Sequence, residues 1–473
     1  MKIPNNTTNN TKHIVQTVLP SNIAVSPNAK TISLIALAIF TCLTISYFLF
    51  KWIRPAKPLE PKHPLFFVTF DKGDFNSLSK ISAEFPGSKI IAMGTSKKAA
   101  EDLGLKNVTT LETLGVGVKV DETWHRDLTL SPKDITLVVD SMVKTYPTAA
   151  KQILFIGVAS VIQKQIAEEA AIAFKKKNKK FKVIAIWDNF NADLTSPYGK
   201  TAFEVQKVAS KVLVPTKQVA KILDPEINRI ILDPENTRAV VTGSPAFDEL
   251  KAKVNKLNEA IKADPRVKAD LLKKYGLESG RSTIVYFGGA DAAYHQNTAE
   301  KQSALNLFFD CIQPTLKTDV QVLVLPHPKI KAEKIEEKLF KDVKNVHVID
   351  SMTNEEALVL ANTVLTYNSS LGDFARYLDK KVIFIVPANE EFRNNLVSSK
   401  NSLKVSNPKE FSNGLIEISL PAYAGFPNLL SVSISDQITD GSTKGIVDLI
   451  NTELLDGAID KLAADVSKTA KKV

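Results

Sequence analysis

The sequence predicts an α/β protein built from two Rossmann-like, doubly wound domains that face across a cleft, preceded by a single N-terminal transmembrane helix. Three observations carry this reading. Short apolar runs alternate with helical segments in two blocks, 65–242 and 283–386, the pattern of buried parallel strands joined by crossover helices. A break containing glycine and proline, Gly243-Ser244-Pro245-Ala246-Phe247-Asp248, separates the blocks and leads into a charged helical stretch ending at Tyr275. Thr31–Phe50 runs for 20 residues without a charge.

The N-terminal elements come first. Residues 1–30, rich in Asn and Thr, read as a disordered tail. At a rise of about 1.5 Å per residue the apolar run spans roughly 30 Å, the thickness of bilayer hydrocarbon. Tyr47 and Trp52 sit at its end like interfacial aromatics, so the span is placed at 31–52. A cleaved signal peptide has a shorter apolar core nearer the start. Lys51, Arg54, Lys57 and Lys62 follow the span, whereas Lys30 and Lys12 precede it. The positive-inside bias then predicts a single-pass membrane protein with its large domain in the cytoplasm. Residues 53–64, with Pro55, Pro58, Pro61 and Pro64, read as a stiff linker.

The remaining 400-odd residues (about 420 of 473) suffice for two or three cores. Cys42 and Cys311 cannot form a disulfide framework, which points to a reducing compartment. The net charge of +10 suits an anionic membrane surface or phosphorylated substrates, and equally an ordinary lysine-rich surface.

In the first domain, 65–245, Leu65–Phe70 is a buried strand ending in Asp71-Lys72-Gly73-Asp74. Lys89–Met93 is a second strand, and Ile135–Val139 is apolar and open to either a strand or a helix start. Ile153–Ile156 is a strand running into Gly157-Val158-Ala159-Ser160. The helix after it carries Ile162, Ile166, Ala170 and Phe174 on one stripe and closes in a lysine cluster that complements its dipole. Lys182–Trp187 ends in Asp188-Asn189, and Lys211–Pro215 and Arg238–Thr242 complete the domain. A helical hinge is expected over 246–280 and a second doubly wound domain over 281–415. Its strands are Thr283–Phe287, Val320–Leu325, Val346–Ile349, Thr363–Tyr367 and Val382–Val386. Beyond about residue 407 weaker strands and a polar C-terminal helix are expected, with 416–473 as a closing segment.

Open α/β sheets bind ligands at the carboxyl ends of their strands. In the second domain three loops leave such ends: Gly288-Gly289-Ala290, Pro326-His327-Pro328 and Asn368-Ser369-Ser370-Leu371-Gly372-Asp373. Glycines let main-chain N–H groups approach phosphate oxygens, and a helix N-terminus adds partial positive charge. Ser369 and Ser370 can donate to phosphate or cap the next helix, and Gly288 and Gly289 can be a simple tight turn. His327 can donate to a diphosphate or protonate a leaving phosphate. Asp373 can accept from ribose hydroxyls or serve the helix dipole. An acceptor hydroxyl loses a proton as it attacks, so a carboxylate is expected on the facing domain. Asp188 is the first choice, then Asp71 or Asp74, with Gly157 and Ser160 beside them, and His125 and Trp124 as weaker candidates. Turn and cap roles are the plain alternative for each.

No phosphate-loop, zinc-protease, CxxC or nucleophile-elbow motif occurs, and the six histidines are scattered. No metal, no cofactor beyond a nucleotide-linked donor acting as substrate, and no nucleic-acid partner are expected.

Residues 243–248 resemble the "TGxPxxD" hinge of GT-B-fold nucleotide-sugar enzymes, among them lipid-A-disaccharide-synthase-like transferases and UDP-N-acetylglucosamine 2-epimerases. Pro326-His327-Pro328, Ile349-Asp350-Ser351 and the run Ala361–Ser370 with Asp373-Phe374-Ala375 resemble the C-terminal half of CDP-glycerol glycerophosphotransferases. In that family's "TDYSS" segment this chain reads Thr366-Tyr367-Asn368-Ser369-Ser370, and the epimerases' HRxEN-like segment has only His295-Gln296-Asn297 nearby. The resemblance implies a GT-B-like fold with a nucleotide donor (UDP-sugar or CDP-polyol) in the second domain. His327 would lie at the diphosphate, Ser369 and Ser370 on phosphate and Asp373 near the donor. It further implies a transferase acting on an envelope or lipid-linked acceptor. A 2-epimerase-like isomerase and a non-catalytic scaffold at the membrane stand as alternatives.

Overall fold

The computed structural model describes residues 65–116, 126–147, 149, 151–190, 194, 197–223, 238–289, 294, 296–298, 302–328, 330–388, 401–419 and 441–452. The predicted tail, span and linker therefore lie outside the described residues, as do Trp124, His125 and His295. Among the described residues no helix is long and apolar enough to cross a membrane. The chain divides into two units, Met1–Leu59 and Glu60–Val473, and everything below concerns the second.

Its first lobe is a sheet of seven parallel strands in the order β3-β2-β1-β4-β5-β6-β7. They are β1 (Leu65–Thr69), β2 (Lys89–Ala92), β3 (Val108–Thr110), β4 (Lys151–Ile156), β5 (Lys180–Ile186), β6 (Lys211–Val214) and β7 (Ala239–Val241). Both faces are covered, which is why Leu65–Val68 of β1 and Ile153–Ile156 of β4 read as unbroken apolar runs and every residue of the two strands is buried. Phe66 and Val68 point to one layer, packed on α3 (Pro132–Thr145) and α4 (Val161–Lys176). Leu65 and Phe67 point to the other, packed on α1 (Lys72–Ala83) and α2 (Thr95–Asp102). The two-residue period of a strand divides them this way. Two further helices, α5 (Pro197–Gln206) and α6 (Lys217–Leu223), complete the crossovers.

Two helices, α7 (Pro245–Ala263) and α8 (Arg266–Lys274), lead to the second lobe. There six strands pair in the order β10-β9-β8-β11-β12-β13. The strands are β8 (Ser282–Phe287), β9 (Val320–Leu325), β10 (Val346–Val348), β11 (Thr363–Thr366), β12 (Lys381–Ile385) and β13 (Ser402–Val405). Helices α9 (Ala304–Ile312), α10 (Ile335–Phe340), α11 (Asn354–Leu360), α12 (Ser370–Tyr377) and α13 (Pro408–Ser419) flank them. Residues 442–452 are helical, and Ile446 and Ile450 are fully buried in the first lobe's core beside Leu65 and Phe67. The C-terminal helix thus returns to the first lobe, and Asp248 of α7 accepts from Ser442 N at 2.6 Å.

Two departures from the sequence reading, and one stretch it left open, have physical causes. Val108–Thr110 and Ser402–Val405 are edge strands carrying Thr, Ser and Lys, so no apolar run marks them. Ile135–Val139 resolves as helix, because Ser131 caps Asp134 N and Pro132 occupies the first turn. Residues 408–419, expected among weaker strands, are helical.

The lobes touch through four rings. Phe190, two residues past Asp188, lies 5.0 Å from both Phe374 and Tyr377 of α12 and 5.7 Å from Phe247 of α7. The loop after β5 thereby meets the helix that follows β11, so the carboxyl edges of the two sheets face one another.

Candidate active site

Both strands that flank the reversal of strand order in the first lobe, β1 and β4, feed the site. Asp71 leaves β1 and caps α1, its Oδ1 accepting from Gly73 N at 2.9 Å and Asp74 N at 3.0 Å. Asp74 reciprocates by accepting from Asp71 N at 3.1 Å and Phe70 N at 3.1 Å, a capping box made of two aspartates. On the next strand Gln163 takes the same position in α4. Its Oε1 accepts from Ala159 N and Ser160 N, and its Nε2 donates to Asp74 Oδ2 at 2.7 Å. One carboxylate and one amide therefore tie together the helix starts after β1 and β4.

Asp188 completes the group from the end of β5. It is half-buried, and Tyr198 donates to its Oδ1 at 2.6 Å. Among the described residues Arg126 brings a cation to this group. Its guanidinium stands 3.8 Å from Asp71 Oδ2 and 4.3 Å from the centre of the Tyr198 ring. Burial, reinforced by the Asp71 charge, pushes the Asp188 carboxyl up to about 6, against the lowering effects of Tyr198 and Arg126. Burial, then the Asp71 and Asp188 charges, push Asp74 well above the usual carboxylate range. Burial and the same two charges raise the Tyr198 phenol, which keeps it a donor.

Two glycines make this crowding possible. A Cβ on Gly73 would overlap Asp188 Oδ2 and stand 3.2 Å from Asp71 Oδ1, and one on Gly157 would overlap the Asp74 carboxylate. Close approach of a carboxylate to the backbone is the reason for glycine at both positions. Asp71, Asp74, Gly157 and Asp188, four separate points of the sequence, form one cluster. Chemically it offers a solvent-reachable carboxylate whose proton affinity lies near neutrality, the property of a general base.

In the second lobe the structure joins three loops. A Cβ on Gly288 would stand 3.1 Å from His327 N and 2.9 Å from Glu336 Oε1, and one on Gly289 would stand 3.0 Å from Asn368 Oδ1. The glycines after β8 thus let the loops after β9 and β11 close in on either side. His327 is half-buried and its carbonyl accepts from Ile330 N and Lys331 N at 3.0 and 3.1 Å, which fixes the loop. Ser369 caps α12 through Leu371 N at 3.3 Å, and Ser370 is exposed beside it. Gly372 and Asp373 turn away. Gly372 lies against Thr366 and the Phe384 ring, and Asp373, 2% exposed, pairs with Arg376 at 3.6 Å.

Arg126, Gln163 and Tyr198 were not singled out in the sequence. Gln163 had a signal, the spacing Ser160-x-x-Gln163 of a capping box. Arg126 sits in a turn and Tyr198 in the first turn of α5, and their closeness to Asp188 is visible only in three dimensions.

Comparison with solved structures places this architecture. The chain is similar to UDP-GlcNAc 2-epimerase from Methanocaldococcus jannaschii, with TM-score 0.54 and 14% identity over 82% of this chain and 99% of that one. It is similar to UDP-GlcNAc 2-epimerase from Neisseria meningitidis bound to UDP-GlcNAc, with TM-score 0.54 and 14% identity over 83% and 100%. The S. aureus MnaA–UDP co-structure aligns with TM-score 0.56 and 14% identity over 83% and 97%. No family model and no curated protein sequence matches the chain. At this identity the likeness is one of fold: two Rossmann-like lobes in the GT-B arrangement, as the sequence resemblance implied.

Proposed function

We propose that this chain is a membrane-anchored GT-B-like transferase. It moves a sugar or polyol phosphate from a nucleotide donor, a UDP-sugar or CDP-polyol, to an envelope or lipid-linked acceptor. The observation that carries the reading is Asp188, a half-buried carboxylate raised to about 6 at a strand end that faces the second lobe. Asp188 takes the proton of the acceptor hydroxyl as its oxygen bonds to the donor. The bond to the nucleotide breaks, releasing a nucleoside diphosphate from a UDP-sugar or CMP from a CDP-polyol. The negative charge that develops on the leaving phosphate is met by His327 and by the start of α12 at Ser369 and Ser370, with Gly288 and Gly289 admitting the phosphate to the main chain. The donor is a substrate, and no other cofactor enters this scheme. The apolar run 31–50 would hold the large domain at the cytoplasmic face of a membrane.

A second reading, a 2-epimerase-like isomerase, is favoured by one finding: the aligned structures include two UDP-GlcNAc 2-epimerases. One experiment separates the two. The protein is incubated with UDP-GlcNAc and with CDP-glycerol, with and without a lipid-linked acceptor, and products are followed by NMR. Acceptor-dependent release of nucleotide supports transfer, and an acceptor-independent change at C2 supports isomerisation. Failure to bind either nucleotide, by calorimetry, removes both readings.

A further inference from the structure

All strands of the first lobe run the same way, so their amino ends and the carboxyl ends of the crossover helices share one edge, opposite the candidate site. The sequence loads that edge with cations. Residues 175–182 hold six lysines and no acid. Lys180 opens β5 beside Lys151 of β4, which is itself buried, and Lys211 opens β6 next to Ile184.

A helix dipole accounts for one or two cations in a last turn, and not for a cluster that continues through the turn into the next strand. The cluster is also rigidly displayed. Asn178 adopts φ 53, and Lys177 N, Asn178 N and Lys179 N all bond back to the last turn of α4. Lys175, Lys176 and Lys177 are exposed and make no ion pair among the described residues. The equivalent edge of the second lobe is different, because its cations are interleaved with acids. Arg281 stands 3.3 Å from Glu278 and 3.8 Å from Asp319.

Two further observations select the partner. Of the large apolar side chains that stay exposed, Ile172 at 45% lies one turn before the lysines. Cations beside an exposed aliphatic side chain suit a lipid interface better than a soluble polyanion. The chain also enters the lobe on this edge, since Leu65 begins β1 beside Ile153 of β4, and only residues 51–64 precede it after the apolar run.

We propose that the amino-terminal edge of the first sheet, centred on Lys175, Lys176 and Lys177 with Ile172, docks on an anionic lipid surface. The inference draws on the proposed anchorage only for proximity and does not depend on the transfer chemistry.

The test uses the full chain with Cys42→Ser and a fluorophore on Ala171→Cys, an exposed position on α4. Vesicles containing about 30 mol% phosphatidylglycerol and a spin-labelled headgroup should quench the probe. Quenching should fall at least several-fold in phosphatidylcholine vesicles and in about 0.5 M NaCl, where charges are screened within a few Å. The same loss is expected for the triple variant Lys175→Ser, Lys176→Ser, Lys177→Ser. Equal quenching on neutral and anionic vesicles, or none on either, overturns the proposal. So does a probe that responds to soluble polyphosphate or RNA and not to vesicles. Alkaline extraction of the same samples reads anchorage separately, so a chain that washes off yet is quenched only by anionic lipid leaves the docking edge standing without the anchor.

Discussion

Tyr198 donates its phenol proton to Asp188 Oδ1 at 2.6 Å while the Arg126 guanidinium lies 4.3 Å from the centre of its ring. The bond favours the charged carboxylate, and burial together with Asp71 opposes it. Activity that depends on Asp188 as a base should therefore rise with pH through about 6 and level above it. Tyr198→Phe removes a lowering influence, so the acid limb of kcat/KM should move to higher pH. The loss should be several-fold near pH 6 and should shrink at more alkaline pH. A limb that stays in place would show that another group sets it.

Asp188→Asn separates chemistry from stability. Removing a general base commonly costs about 10²–10⁴ in rate, and nucleotide release should fall accordingly. Stability should move the other way. The folded carboxyl binds its proton up to about 6, against an ordinary value near 3.8, so between those values the folded state holds more proton than the unfolded one. The slope of stability on pH is then negative, and the native state loses stability as pH rises from about 4 to 6. Asparagine lacks this titration. Denaturant melts at several pH values should show the variant gaining on wild type across that window, by about 1–2 kcal/mol after allowing for partial solvent screening.

Gly73 and Gly157 test whether the crowding of carboxylates is structural or functional. Gly73→Ala would drive a methyl into Asp188, whose side chain can swing toward solvent, so activity should fall more than stability. Gly157→Ala would drive one into Asp74, 1% exposed and held by main-chain donors and Gln163. That side chain has nowhere to go, and overpacking of this kind costs about 1–3 kcal/mol or more. Paired melts and initial rates for the two variants give the contrast.

The sheets were legible because buried parallel strands leave continuous apolar runs, and β9 was bounded to the residue at Val320–Leu325. The edge strands β3 and β13 were not, since one exposed side relieves the demand for apolar residues. At the site, strand ends and turn residues flagged Asp71, Asp74 and Asp188, because chain order alone says where a strand stops. It does not say which face a helix start turns inward. Hence Gly372 and Asp373, in the same loop as Ser369, belong to packing and to Arg376. Arg126 joins the cluster from a loop more than fifty residues after Asp71 in sequence, a distance no local pattern bridges.

His327 and Ser369 should separate in the same spirit. Ser369 bonds Leu371 N at the start of α12, so Ser369→Ala removes a cap worth about 1 kcal/mol and should lower the melting temperature by about 1 °C. The loop at His327 is also held through its main chain, the carbonyl accepting from Ile330 N and Lys331 N, so His327→Ala should keep the native fold, with its melting temperature read beside its binding. If the two loops grip a donor diphosphate, both variants weaken nucleotide binding by calorimetry by more than their stability changes explain. A His327→Ala protein that binds UDP and CDP as wild type would place the phosphate elsewhere. It would leave the convergence of the Gly289 and Asn368 loops as a packing feature of the second lobe.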